Sequence, residues 1–194
     1  MTDSDFNQLY PHFKQRLEAV GGHVDCLHDA GVDALATAIV ERYPAEPDAT
    51  ATDRIVWIAE ETTRAAPELL AALKVRGLEP RIATDPAAVR DQPLGLAIAR
   101  ATIAETGSSL LVEPTVTGRS VTLMTQVLIV LCNEATLVAG LTEAAPILRD
   151  VSNEGASYAT FVTGPSRTAD IERTLAVGVQ GPGVFHVIFT ASIS

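Results

Sequence analysis

From Arg54 onward the chain alternates short apolar runs with stretches of helical periodicity, and this alternation restricts the fold more than any other feature. Ile55 to Ala59 reads as a strand, Pro67 to Arg76 as a helix stopped by Gly77, and Arg81 to Thr84 as a strand. The pattern continues with Thr102 to Ala104 and Ser109 to Val112 around a glycine turn, then Val127 to Cys132 as a fully buried strand. Glu143 to Val151 reads as a helix, Tyr158 to Val162 as a strand, Thr168 to Val177 as a helix and Val184 to Thr190 as the final strand. Strands separated by helices pair in parallel through crossovers. The expected class is α/β: a single domain with a mainly parallel sheet flanked by helices.

The preceding segment is more helical. Pro11 can open a helix in which Phe13, Leu17 and Val20 recur, ended by Gly21-Gly22, and His23 to Leu27 reads as a short strand. Val32, Leu35, Ala36, Ile39, Val40 and Tyr43 fall on one face of a second helix, and Pro44 to Thr52 has the composition of a loop. The expected organisation is an N-terminal helical appendage, residues 1–52, packed on an α/β core of residues 53–194, with one structural domain overall. At 194 residues a single core suffices, burying roughly 70% of the surface of the unfolded chain.

A formal net charge of −10 repels phosphate backbones, and no stretch interleaves Lys or Arg with aromatics, so nucleic acid is not an expected partner. The longest apolar run, Val127 to Cys132, is far shorter than the roughly 18 residues of a membrane span, and the first residues lack the basic and apolar pattern of a secretory signal. A cytoplasmic location is expected. Cys26 and Cys132 form no Cys-x-x-Cys cluster. In His23-Val24-Asp25-Cys26-Leu27-His28, strand alternation sends Cys26 and His28 one way and His23 and Asp25 the other, which argues against a metal site. No cofactor is expected to be bound by this chain alone. His186, between Phe185 and Val187, reads as a sheet residue.

Two segments carry the functional signal. Thr163-Gly164-Pro165-Ser166-Arg167-Thr168 lies between a strand and an expected helix, where free N–H groups and hydroxyls suit an anion, and Arg167 suits its charge. Caps with Asp170 and Glu172 in the first turn would look similar without any ligand. Glu105-Thr106-Gly107 puts a carboxylate and a hydroxyl at a tight turn, a pattern equally suited to a solvated turn. Gly178, Gly181 and Gly183 follow a helix and precede a strand, the reverse of a dinucleotide fingerprint, and read as a C-cap and a turn with Pro182.

Ile103-Ala104-Glu105-Thr106-Gly107-Ser108, the block from Thr163 to Glu172, Gly178-Val179-Gln180-Gly181-Pro182 and Phe185-His186-Val187 together resemble the LUD-domain family, lactate utilization protein C type. The resemblance implies a fold like that of the NagB/RpiA/CoA-transferase group and a role in L-lactate oxidation to pyruvate beside iron–sulfur oxidoreductase subunits. It implies a subunit or accessory protein that binds a small carboxylate or an iron–sulfur partner through Glu105, Thr106, Gly107, Arg119, Thr163, Gly164, Pro165, Ser166, Arg167, Thr168 and Asp170. A free-standing CoA-transferase-like enzyme, with Glu105 as the carboxylate nucleophile, is the alternative; a ligand-sensing or assembly protein is a third. Two departures from the family matter. Gln180 stands where a titratable His is frequent, and Arg119 is followed by Ser120-Val121-Thr122-Leu123-Met124 where a proline-containing segment is common.

Overall fold

Six of the seven residues of Val127–Asn133 (β7) are buried, so this strand needs cover on both faces and partners on both edges. The computed structural model, which describes residues 3–28, 31–44, 54–155, 158–168, 176–177 and 181–193, supplies both. Val184–Thr190 (β12) and Leu94–Ile98 (β4) flank β7 in parallel. Outside them lie His23–Cys26 (β1), Ile55–Ile58 (β2) and Glu79–Ile82 (β3), giving a six-stranded parallel sheet of order β1-β12-β7-β4-β2-β3.

The helices divide between its faces by side-chain parity. Leu128, Val130 and Cys132 of β7 meet Phe13 and Leu17 of Asp3–Ala19 (α1) and Val121 of Val116–Met124 (α5). Ile129 and Leu131 meet Leu35 and Ile39 of Val32–Glu41 (α2) and Leu69 and Leu73 of Pro67–Val75 (α4). Phe189 holds α1 down: the rings of Phe6, Tyr10 and Phe13 meet it edge-on at centroid distances of 5.5, 5.7 and 5.0 Å. Glu60–Ala65 (α3) follows β2 directly.

A second, four-stranded sheet of order β8-β5-β6-β9 is built from Ala101–Ile103 (β5), Ser108–Val112 (β6), Leu137–Val138 (β8) and Ala159–Val162 (β9). Leu141–Asn153 (α6) packs on it through Val151. Arg167–Thr168 (β10) and Ala176–Val177 (β11) form a small antiparallel pair. Among the described residues no helix is long and apolar enough to cross a membrane.

The α/β class and the mainly parallel sheet agree with the sequence pattern, while four local expectations need correction. Pro11 lies inside α1 rather than at its start; it is on the exposed face, where the helix can lose one N–H without burying an orphan carbonyl. Strand β3 begins two residues earlier than the Arg81 to Thr84 reading. Strand β4 has no counterpart in the expected elements because Gly95 interrupts its apolar pattern; a Cβ there would come within 2.6 Å of Thr125 Oγ1 at the end of α5. The expected helix from Thr168 to Val177 fails at both described ends. Arg167 pairs with Val177 and Thr168 with Ala176, whereas a helix would hold those ends roughly 12–15 Å apart. The segment of residues 1–52 contributes edge strand β1 as well as two helices, so it is joined to the sheet by backbone hydrogen bonds.

Replacing Phe189 by Ala should cost about 3–5 kcal/mol, because α1 loses the ring its three aromatics meet. Urea unfolding of the variant checks this.

Candidate functional site

The two segments singled out in the sequence do come together. Ser109 of β6 pairs with Val162 of β9, which places the turn before one beside the loop after the other. Ser108 Oγ donates to Thr106 Oγ1 at 2.7 Å and lies 2.6 Å from Thr163 Oγ1, forming a chain of three hydroxyls. Gly107 takes φ 69°, and a Cβ there would meet the Leu17 backbone nitrogen at 2.6 Å, so the turn lies directly against α1. Beyond Thr163, Gly164 lies against Val20, Pro165 and the Arg167 guanidinium against Gly21, and the Ser166 N–H donates to Pro182 O at 2.9 Å.

This surface is at the amino ends of the principal strands, since Val20 and Gly21 lead into β1, and Pro182 and Gly183 into β12. It is not the carboxyl-end position expected for the Thr163 loop, because β9 belongs to the second sheet. Glu105 lies against Gly140, the cap of α6, whose N–H donates to Glu143 Oε2. Its carboxylate thereby faces the positive end of that helix. Arg119 is not brought to this surface. Its guanidinium donates to Glu113 O and Pro114 O and stacks on Tyr158 at 4.6 Å, roughly 13 Å away at the other end of β6. Thr168 starts its pairing with Ala176, and Asp170 and Gln180 lie outside the described residues.

The carboxyl ends of the sheet offer a different arrangement. The connection leaving β2 runs outward to β3 across the α4 face, while the one leaving β4 runs the other way, through the second sheet and α5, to β7. Neighbouring strands whose connections diverge leave a crevice between them, the place where open α/β sheets take ligands. Here Ile98 of β4 with the following Ala99 and Arg100, Glu61 and Ala65 from α3, and Asn133 from β7 help enclose a hollow of about 230 Å³. A second, of about 300 Å³, adjoins it between Arg64, Arg100, Pro114 and Glu154.

Arg100 is fixed at the seam of the two sheets, its N–H donating to Leu110 O at 2.8 Å. Its guanidinium forks onto both oxygens of Glu154, at 3.1 and 3.0 Å, and Arg64 meets Glu61 at 2.9 Å. Both pairs are open to solvent, so an incoming carboxylate can replace the protein carboxylates at small net cost.

Behind the rim, between lining residues Val112 and Pro114, is Glu113. It is 1% exposed, and neither carboxyl oxygen has a hydrogen-bond partner. Gly118 in the first turn of α5 makes room for it, since a Cβ there would overlap Glu113 Oε2. Burial pushes the Glu113 carboxyl up to about 7; Glu61 and Glu60 push the same way and Arg64 opposes. Glu113 lines neither hollow, so its carboxyl stands behind the crevice wall and feels the charges of α3 through it. None of these groups was among the expected site residues. With β4 unread, the Glu60-Glu61 and Arg100 positions following two neighbouring strands could not be recognised as a pair.

Two further clusters are internally satisfied. On the α2 face, Asp25 Oδ2 accepts from Arg42 and from His186 Nε2 at 2.7 Å, tying β1 to β12 and to the end of α2. Burial raises the Asp25 carboxyl, but the hydrogen bonds from His186 and Arg42 prevail and hold it below its ordinary value. On the other face His28 Nδ1 meets Glu134 Oε2 at 2.7 Å and Cys26 Sγ points at Glu134 Oε1 at 3.7 Å; burial and then Glu134 raise the thiol to about 11. Among the described residues no group of three or more His, Cys, Asp or Glu has an arrangement suited to a metal ion.

An α/β protein with a charged crevice at the switch point of its parallel sheet is the class these features define. A model of the LUD domain matches residues 10–190, and the chain belongs to the LUD-domain family. Relatives include lactate utilization protein C of Shouchella clausii, 41% identical over 91 residues, which are 46% of this chain and 40% of the relative. That of Oceanobacillus iheyensis is 40% identical over 92 residues, again 46% of this chain and 40% of the relative. The alignments therefore span about two fifths of the curated relatives they match. Among solved structures, a DUF162 family protein from Deinococcus radiodurans superposes with a TM-score of 0.66 over 95% of this chain and 98% of that one, at 18% identity, and shares the fold.

The raised Glu113 carboxyl makes a stability prediction. The folded state holds the Glu113 proton up to about pH 7, the unfolded chain releases it near 4.5, so this group's contribution falls as pH rises through that window and is flat above it. The loss amounts to about 3 kcal/mol. Glu113→Gln should remove that decline, making the variant about 2–3 kcal/mol more stable than the parent at pH 8 and near parity at pH 4.5, as read by denaturant unfolding at the two pH values.

Proposed function

We propose that the chain serves lactate utilization as a component that holds a small monocarboxylate, with electron transfer carried by iron–sulfur partner proteins. The names of the relatives support the pathway. The observation that carries the binding role is Arg100, whose backbone is fixed at the sheet seam beside the switch-point crevice and whose guanidinium already displays a bidentate carboxylate geometry on Glu154, with a second cation, Arg64, lining the same hollow. The hollows have room for lactate or pyruvate. Partner proteins would supply the iron–sulfur chemistry, since the two cysteines of this chain lie on separate strands, one of them fully buried in the core.

The position of Glu105 favours this reading over a CoA-transferase-like nucleophile. Its carboxylate lies at the N-terminus of α6, and that helix end rather than a substrate accounts for it.

Thermal-shift titration with lactate, pyruvate and, as a control, an uncharged amide of similar size tests the proposal. At about 100 times its dissociation constant a ligand of the folded state adds about 2.7 kcal/mol. That corresponds to a Tm rise of several degrees, very roughly 5 °C or more. Arg100→Ala should abolish the shift and Glu105→Gln should retain it. A shift that survives Arg100→Ala and disappears with Glu105→Gln would return the site to the amino-end surface; no shift with either acid would defeat the binding role.

A further inference from the structure

Among the described residues, Glu113 is the ionisable side chain whose two oxygens are both buried and both without a hydrogen-bond partner. An ionised carboxylate in that position is costly, and an amide or an apolar side chain would serve stability better. A second feature points the same way. Gly118 stands inside α5, where glycine costs roughly 1 kcal/mol relative to alanine, and its missing Cβ is what admits the Glu113 carboxyl. The chain thus accepts two separate losses of stability to keep an unpaired carboxyl directly behind the wall of a ligand crevice. Such departures from local consistency mark functional groups.

We propose that Glu113 is the proton-exchanging residue of the crevice, taking up a proton when a small monocarboxylate binds beside Arg64 and Arg100. The inference rests on the binding role proposed above and deepens it. The groups facing Glu113 are Glu60, Glu61 and Arg64 from α3, while Arg119 of α5 holds its backbone carbonyl. Arg64 is the cation that favours the ionised form, and a carboxylate ligand engaging Arg64 cancels that effect while adding a negative charge of its own. Both changes move a proton from solvent onto Glu113; one carboxyl O–H bond forms and nothing else is made or broken.

The test is calorimetric titration of pyruvate into the full chain in buffers of different ionisation enthalpy, phosphate and Tris, over about pH 5 to 9. The parent protein should take up a fraction of a proton per ligand, up to about one half at pH 7, and its affinity should fall up to tenfold per pH unit above about 7. Glu113→Gln, folded by circular dichroism, should still bind at pH 6, with no uptake from this group and a flat affinity profile. Binding without buffer dependence, or with the same uptake in Glu113→Gln, overturns the proton role and leaves the binding role intact. No binding to the parent overturns both. Should the variant not fold, the parent alone decides: uptake greatest near neutral pH supports Glu113, and uptake centred near pH 5 or 9 assigns the proton to another group and overturns the inference.

Discussion

A strand with six consecutive buried residues has no solvent face, and covering both sides of β7 dictates the arrangement of the other elements. Apolar side chains of one parity have to meet α1 and α5, and those of the other parity α2 and α4. Because the neighbours of β7 are parallel to it, every connection has to pass over a face to return to the same end, and a crossover of that length also supplies the cover. The aromatic contact of Phe6, Tyr10 and Phe13 with Phe189 is the same requirement met at the level of single rings. Burying a strand of this kind and recruiting the helices are therefore one event.

The position of the crevice follows from that topology. Covering both faces means that some connections pass on one side and some on the other, and where two adjacent strands send theirs in opposite directions a gap opens beyond their carboxyl ends. In this chain the gap falls between β2 and β4. The residues immediately after those strands are Glu60 and Glu61 on one side and Arg100 on the other, so charge is placed around the gap by the strand ends themselves. Glu113 arrives from the second sheet, which enters through the same connection from β4 to β7.

The amino-end surface has a different character. Its hydroxyls of Thr106, Ser108 and Thr163 satisfy one another, Glu105 faces α6, and the loops are packed on the last turn of α1. These residues fix the second sheet and α1 to each other. A motif can thus be recognisable as a family signature while its side chains are occupied with each other.

How much was legible in the sequence follows from the range of each interaction. Strand β7, the helix α2 and the parallel class are written in local periodicity, because a buried strand needs a continuous apolar run and an amphipathic helix needs its 3.6-residue stripe. The meeting of Glu105-Thr106-Gly107 with the Thr163 loop was also legible, through the family resemblance. Strand β4 was not, because Gly95 is selected by the approach of Thr125 from a distant helix and looks locally like a break. The helix expected from Thr168 gave way to the pairing of Arg167 and Thr168 with Val177 and Ala176, since helix-favouring acidic positions are a weaker influence than tertiary pairing. The sequence by itself determined which residues must be inside and the rhythm of strands and helices. Only the tertiary structure decided which ends of those strands face the crevice, and that Arg100, Glu61 and Glu113 gather there, because that neighbourhood depends on the order of strands in the sheet and no local pattern of residues encodes the order.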